Sequence, residues 1–285
     1  LGDLREWRLI MKKKNRGKIV SYILLFGISI LMLFPFFWMV RSSFMTNREI
    51  MTTPIQWLPS HYNLDNFRDA FARAPFSRYF VNSAVIVLIN MAGSILSSSF
   101  IAFGFSRLRF AGKNLWFALL LSTMMIPQTV LMIPQFLIWQ AVGAYNTFVP
   151  LTLPCFFGSA FNVFLVRQFY SGIPKEYDEA ALVDGANYFV IYLRIIVPMA
   201  KPVLCTVGVF TFMNTWNDFM GPLLYLDKEN LKTVSLALQN FMGQHVSEWN
   251  LMMALSSVIT LPMIAVYFMA QRYFIEGITF SGLKG

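Results

Sequence analysis

Most of this chain is apolar, and its polar residues fall into short interruptions between long hydrophobic blocks. A helix that crosses a bilayer needs about 20 mostly apolar residues. Six stretches meet that requirement: 19–40, 79–105, 115–139, 148–166, 203–224 and 251–270. The pattern predicts an all-α, polytopic membrane protein with six transmembrane helices.

The stretches differ in character. The second carries Gly93, Ser94, Ser97, Ser98, Ser99 and Gly104; small residues at helical spacing let neighbouring helices approach closely. The third contains Pro127 and Pro134, each followed by Gln. Proline removes an intrahelical hydrogen bond, and a membrane tolerates this where the freed groups face protein or a wet cavity. The third stretch is therefore read as a kinked helix, either structural or lining a pathway. The fourth has Pro150 and Pro154 near its start, and the sixth has Pro262. The fifth carries Asn214, Trp216, Asn217 and Asp218, followed by Gly221-Pro222.

One interruption is longer than the rest and forms its own elements. Residues 174–202 read PKEYDEAALVDGANYFVIYLRIIVPMAKP. Pro174 suits a first helical turn, where its missing N–H is no loss. Glu176, Asp178 and Glu179 follow where negative charge meets the positive end of the helix dipole. Gly185 interrupts, and 188–197 reads as a second helix that stops near Pro198. A bent helix pair results, too polar to cross a bilayer.

Composition supports the membrane reading. The chain is 56% hydrophobic and 13% charged, against roughly a quarter charged in soluble domains, and its mean hydropathy is +0.56. Cys155 and Cys205 both fall in apolar stretches, as small hydrophobes rather than a disulfide framework or metal site. His61 and His245 stand far apart in sequence. The net charge of +9 does not point to nucleic acid. Much of it comes from Arg5, Arg8, Lys12, Lys13, Lys14, Arg16 and Lys18, just before the first apolar block. Such a cluster marks a cytoplasmic flank and offers contact with anionic lipid headgroups. The start does not read as a signal peptide, because the first apolar run is long enough to span.

Placing the N-terminus inside puts roughly 16 basic residues on the inner side and about seven outside, as the positive-inside rule expects. The C-terminus and the polar island then also lie inside. The chain is accordingly divided into a basic cytoplasmic segment 1–18, a membrane domain 19–271 with a cytoplasmic loop 171–202, and a cytoplasmic tail 272–285. Residues 41–78 form a sizeable outer loop, and 226–250 a second outer segment polar enough to be solvated.

No glycine-rich phosphate loop ending in Gly-Lys-Ser or Gly-Lys-Thr is present; Gly17-Lys18 and Gly112-Lys113 are isolated dipeptides. Asp218 is the notable ionisable group within a predicted span, and such residues usually face an interior or a water-filled cavity. It is read either as solvated or structurally paired near the outer end of the fifth helix, or as lining a translocation path or gate with Asn214 and Asn217. Trp216 offers either a face for a sugar ring or packing against lipid and a neighbouring helix.

Glu179-Ala180-Ala181, then Gly185, then Ile195, Val197 and Pro198 resembles the EAA signature of ABC-importer permeases, with Val197 standing where that family usually has Leu. TFMNTWNDFMGPLLYL is similar to the fifth-helix segment of carbohydrate-type permeases, and QRYFIEGITFSGLKG to the tail of the second permease of maltose-type transporters. FSRLRFAGKN fits the same group. The resemblance implies a type I importer fold and an inner-membrane location in a prokaryote. It also implies a complex with a second permease subunit, two cytoplasmic ATPase subunits that bind ATP and Mg, and an extracytoplasmic solute-binding protein for a sugar substrate of the oligosaccharide class. Glu179, Ala180, Ala181, Asp184 and Gly185 would be the ATPase contact, and Ser281 to Gly285 would reach the ATPase interface. This chain would hold no cofactor or metal and would not itself be an enzyme. A secondary transporter or channel working without ATP stands as the alternative; it would prefer inverted repeats with paired broken helices, which the sequence does not display.

Overall fold

The computed structural model describes residues 2–241 and 248–282, with side chains described over 18–239, at 241 and over 248–271. Among these residues every regular element is helical. The chain divides into two units. One comprises the chain up to Arg73 with Phe241–Val258; the other comprises Ala74–Asn240 with the chain from Ile259 onward.

In the first unit, α1 (Gly2–Ser43) contains the stretch Lys18–Ser43, long and apolar enough to span, and none of its most apolar window is buried. Such a surface is stable only against lipid or another apolar chain. The helix ends in a polar knot. The Arg41 guanidinium lies 4.2 Å from the Trp38 ring centroid and donates to the Gln56 carbonyl. A short helix, α2 (Asn47–Ile50), starts with a capping box. The Thr46 N–H donates to Glu49 at 2.8 Å and the Ser60 N–H at 3.2 Å, holding the Glu49 carboxyl down at about 2. From α3 (Asp65–Ala72), buried Asn66 donates to the carbonyls of Ser43 and Met45 at 2.9 and 2.8 Å, closing the loop on itself.

In the second unit, α4 (Phe76–Arg107) is the central span. Its small residues do what their spacing predicts: Gly93, Ser94, Ser98 and Ser99 are buried. A side chain at Gly93 would collide with Cys155 and Phe156, and Ser97 donates to the Cys155 carbonyl at 2.8 Å. After α5 (Lys113–Ser122) a 3-10 turn leads to α6 (Gln128–Ala141). The predicted single kinked helix over 115–139 is instead two helices bent by 98°. Pro127 excludes the residue before it from helical geometry, and Ile126 is extended at φ −83°, ψ 117°. The fourth stretch is also broken. Proline-started α7 (Val149–Thr152) and the 3-10 segment Leu153–Phe157 precede Gly158, at φ 84°, and then α8 (Ala160–Gly172).

The polar island folds as α9 (Glu176–Val183), α10 (Tyr188–Ile191), the π-helical segment Tyr192–Ile196 and α11 (Val197–Met199). Pro198 has no N–H for the Arg194 carbonyl and its ring crowds that group; the wider π turn accommodates both. The chain then bends by 76° into α12 (Lys201–Trp216). The predicted fifth span breaks at 217–219 before α13 (Met220–Tyr225).

Residues 226–240 are less solvated than expected. Val234, Leu236 and Ala237 of α14 (Val234–Ala237) are buried. The Asn230 carbonyl accepts from Arg78 and Asn82, and the Val234 N–H donates to Ser83 at 3.0 Å. Backbone polar groups interleaved with these apolar side chains find partners on α4, which a reading by polarity alone does not reveal. The last element is α15 (Trp249–Gly282). Altogether four described helices are long and apolar enough to cross a membrane, or six if each bent pair is one span.

Candidate functional site: a docking elbow and a polar cavity

The elbow 173–202 has an anchored inner face and a bare outer one. Ile191, Tyr192, Ile196 and Ala200 are buried in a cluster with Ala102, Phe103, Val163, Val166 and Tyr170 of α4 and α8. Fully burying such aliphatic side chains is worth roughly 1.5–3 kcal/mol each. Within this cluster Ser99 Oγ lies 2.7 Å from the Tyr170 hydroxyl and 3.0 Å from that of Tyr192.

An ion pair adds to the anchor. The Arg107 side chain, 3% exposed, lies with Nε 3.2 Å from Asp178 Oδ2, whose side chain is 12% exposed. Arg107 also donates to the Ile173 carbonyl at 3.0 Å. The Nε–Oδ2 approach is a charge contact without hydrogen-bond alignment, and Asp178 Oδ1 is left unpaired. Burial therefore pushes the Asp178 carboxyl up, against the pull of Arg107. Sequence reading placed Asp178 only at the helix dipole and Arg107 only in the charge balance. Their pairing joins positions far apart in the chain and leaves no local signal.

The turn after α9 is a Schellman motif. The Gly185 N–H donates to the Leu182 carbonyl at 3.0 Å and the Ala186 N–H to that of Ala181 at 2.9 Å. Gly185 sits at φ 82°, which L side chains rarely adopt. Asn187 then caps α10, accepting from the Val190 N–H at 2.9 Å; an Asn just past the glycine is a legible N-cap signal that the sequence reading missed. On the outer face Glu179, Ala180, Asp184 and Gly185 are exposed, Ala181 is half-buried, and Val183 is 88% exposed. No side chain caps the start of α9, and the carboxylate that turns inward is Asp178 rather than Glu179.

At the other break, Asp218 accepts from the Gly221 N–H at 3.0 Å and so starts α13. Asn217 is exposed and folds back on the Met213 carbonyl at 2.8 Å, ending α12. Asn214 and Asp218 line a cavity of about 300 Å³ with Ser83, Asn90, Thr215 and Thr233. Asp218 also borders a second cavity of about 560 Å³, lined by Gln128, Gln135, Trp139 and Tyr225 among others. Trp216 departs from the expectation of a pathway residue. It is 6% exposed, stacked on Phe212 at 5.7 Å, and donates to the Ile259 carbonyl at 3.1 Å. Of the four pathway candidates, the fold brings Asn214 and Asp218 to a cavity and leaves Trp216 and Asn217 to packing and capping. No group of histidine, cysteine or acidic residues suited to a metal ion occurs among the described residues. The tail candidates from Leu283 to Gly285 lie outside the described residues, as do the Ser281 side chain and His245.

Residues 94–279 match the family described as binding-protein-dependent transport system inner membrane component. The chain belongs to this family. The matched region takes in the elbow, α12, α13 and the C-terminal part of α4. The permease is 33% identical over 94% of its length to the probable ABC transporter permease protein YurM of Bacillus subtilis, covering 89% of that protein. It is 30% identical to the arabinooligosaccharides transport system permease protein AraQ of Halalkalibacterium halodurans, covering 96% and 100% of the two chains. With the lactose transport system permease protein LacG of Rhizobium radiobacter it shares 32% identity over 93% and 96%. Its fold superposes with a TM-score of 0.80, at 22% identity, on a chain from the crystal structure of a bacterial ABC transporter involved in the import of the acidic polysaccharide alginate, covering 90% and 95%. It is thus a multi-pass membrane permease subunit without a nucleotide-binding motif of its own; hydrolysis of ATP falls to a separate subunit.

Proposed function

We propose that this permease is half of the translocation path of an oligosaccharide importer, driven by two partner ATPases through the elbow. Relatives named for arabinooligosaccharides, lactose and galactooligosaccharides support the substrate class. A second permease subunit completes the path, and an extracytoplasmic binding protein delivers the sugar. Both termini and the elbow face the cytoplasm. Closure of the ATPase pair on ATP pushes the elbows, and the bent spans pass that motion to the cavities beside Asp218.

The observation that carries this reading is the division of the elbow into two faces. Its inner face is locked to α4 and α8 by Tyr192, Ile191 and the Arg107–Asp178 pair. Its outer face leaves Glu179 and Ala180 exposed among the described residues. A lever needs both: a rigid attachment and a free surface for the part that pushes it. The test is co-purification of the complex with Glu179→Lys. Loss of the ATPase subunits and of ATP-driven sugar uptake, with the permease still monodisperse in detergent, is expected. Retained ATPase and ATP-driven uptake would defeat coupling through this face, and uptake that persists after the ATPase is lost would favour transport that does not use ATP.

A further inference from the structure

Three predicted spans are interrupted, and all three interruptions border one space. The break at Ile126–Pro127 delivers Gln128, the 3-10 segment after α7 delivers Pro154, and the break at 217–219 delivers Asp218 to the cavity of about 560 Å³. Each break interrupts a stretch apolar enough to span, and lipid could not satisfy the backbone groups it frees. Such backbone persists in a membrane only when covered by protein or facing a water-filled cavity. Three breaks around one cavity make the second condition the economical one.

The lining has a definite chemistry. Gln128 and Gln135, with Nε2 and Oε1 3.4 Å apart, present amides that both donate and accept. Half-buried Trp139 and the Tyr225 of α13 both line the space. Aromatic faces carry negative potential and suit polarised C–H groups. Among the described residues that line the two cavities, Asp218 is the one charged residue, and no lysine or arginine joins it. Its Oδ1 is held by the Gly221 N–H.

We infer that this permease contributes its own substrate-contact site, at the meeting of the three broken spans, for an uncharged hydroxyl-rich ligand, a neutral oligosaccharide, and that Asp218 turns acidic sugars away. Amide groups pair with hydroxyls in either direction, the tryptophan face takes a pyranose C–H face, and a lone carboxylate repels a uronate in a poorly screened space. The inference rests on the importer reading above and narrows its substrate class.

The test uses the assembled transporter in proteoliposomes, with Cys155 and Cys205 replaced by alanine and a single cysteine at Gln135→Cys. Cationic and anionic methanethiosulfonate reagents report access and local charge. The cationic reagent is expected to react about tenfold faster than the anionic one, a bias that Asp218→Asn removes. Millimolar maltotriose is expected to slow the reaction and trigalacturonate to leave it unchanged, and Trp139→Ala to abolish the protection. Gln128→Cys supplies a second reporter should the first fail to assemble. A cysteine inert to both reagents would mean that the partner permease fills the cavity, and equal protection by trigalacturonate would overturn the exclusion of acids. Either outcome beside intact ATP-driven uptake defeats this inference alone; loss of ATPase dependence in the same vesicles would instead defeat the importer reading.

Discussion

Gly185 shows how much one residue contributes to the elbow. Its φ of 82° closes the turn that carries Asp184 to the surface, and nothing lies within 4 Å of where a Cβ would stand. The cost of substitution is therefore conformational rather than steric. Gly185→Ala is expected to destabilise this turn by about 1 kcal/mol, lowering the Tm of the purified complex and the amount of ATPase it retains. Gly185→Asn is expected to recover most of both, since Asn visits the left-handed region readily. Equal behaviour of the two variants would show that the backbone requirement is not what matters. Asp178 and Glu179 carry the complementary lesson. They are adjacent, identically charged and equally suited to a helix start, yet one is buried against Arg107 and the other is bare. One residue step along the helix, about 100° of rotation, points them apart.

At the scale of elements, the Arg107–Asp178 pair joins the end of α4 to the first turn of α9, and the Arg107 bond to the Ile173 carbonyl holds the strap between α8 and α9. Removing one partner from a buried pair strands the other, at about 3–5 kcal/mol. Arg107→Ala is expected to lower the unfolding temperature of the complex sharply. Arg107→Met combined with Asp178→Leu is expected to regain most of that loss, because well-packed apolar residues often replace a buried pair without penalty. If thermal unfolding finds the double variant as unstable as the single one, the pair contributes by more than satisfying its own charges. The proline-bearing elements follow a shared logic. Pro127, Pro154 and Pro198 each mark a place where regular α-helix gives way, to a break, a 3-10 segment and a π segment respectively. The sequence reading anticipated one kink in the third span. It underestimated the result because the pre-proline restriction at Ile126 acts together with the missing hydrogen bond.

For the molecule as a whole, the exposed apolar length of α1 and the outward-facing side chains of α5 and α6 require lipid or a second permease around them. The orientation proposed here places the turn at Ala111 and the elbow on one side, and the loop around Tyr62 on the other. Single cysteines at Ala111→Cys and Tyr62→Cys, in a background lacking Cys155 and Cys205, are expected to label oppositely with an impermeant maleimide. Tyr62→Cys should react in right-side-out vesicles and Ala111→Cys only in inverted ones. The reverse pattern would place the elbow away from any cytoplasmic ATPase.

The helical class, the rough positions of the apolar stretches and the bent polar helix pair at 174–202 were legible in the chain itself. Each depends on runs of neighbouring residues, whose hydrophobicity, charge and turn chemistry act locally and leave a local pattern. Only the tertiary fold decided that Asp178 is buried while Glu179 is exposed, that Trp216 is packed rather than facing a path, and that residues 226–240 lie against α4. It alone brought Gln128, Trp139 and Asp218 to one cavity. These outcomes hinge on which face of one helix meets which face of another, and on bends that redirect whole spans. Period and composition do not encode such meetings between residues tens or hundreds of positions apart.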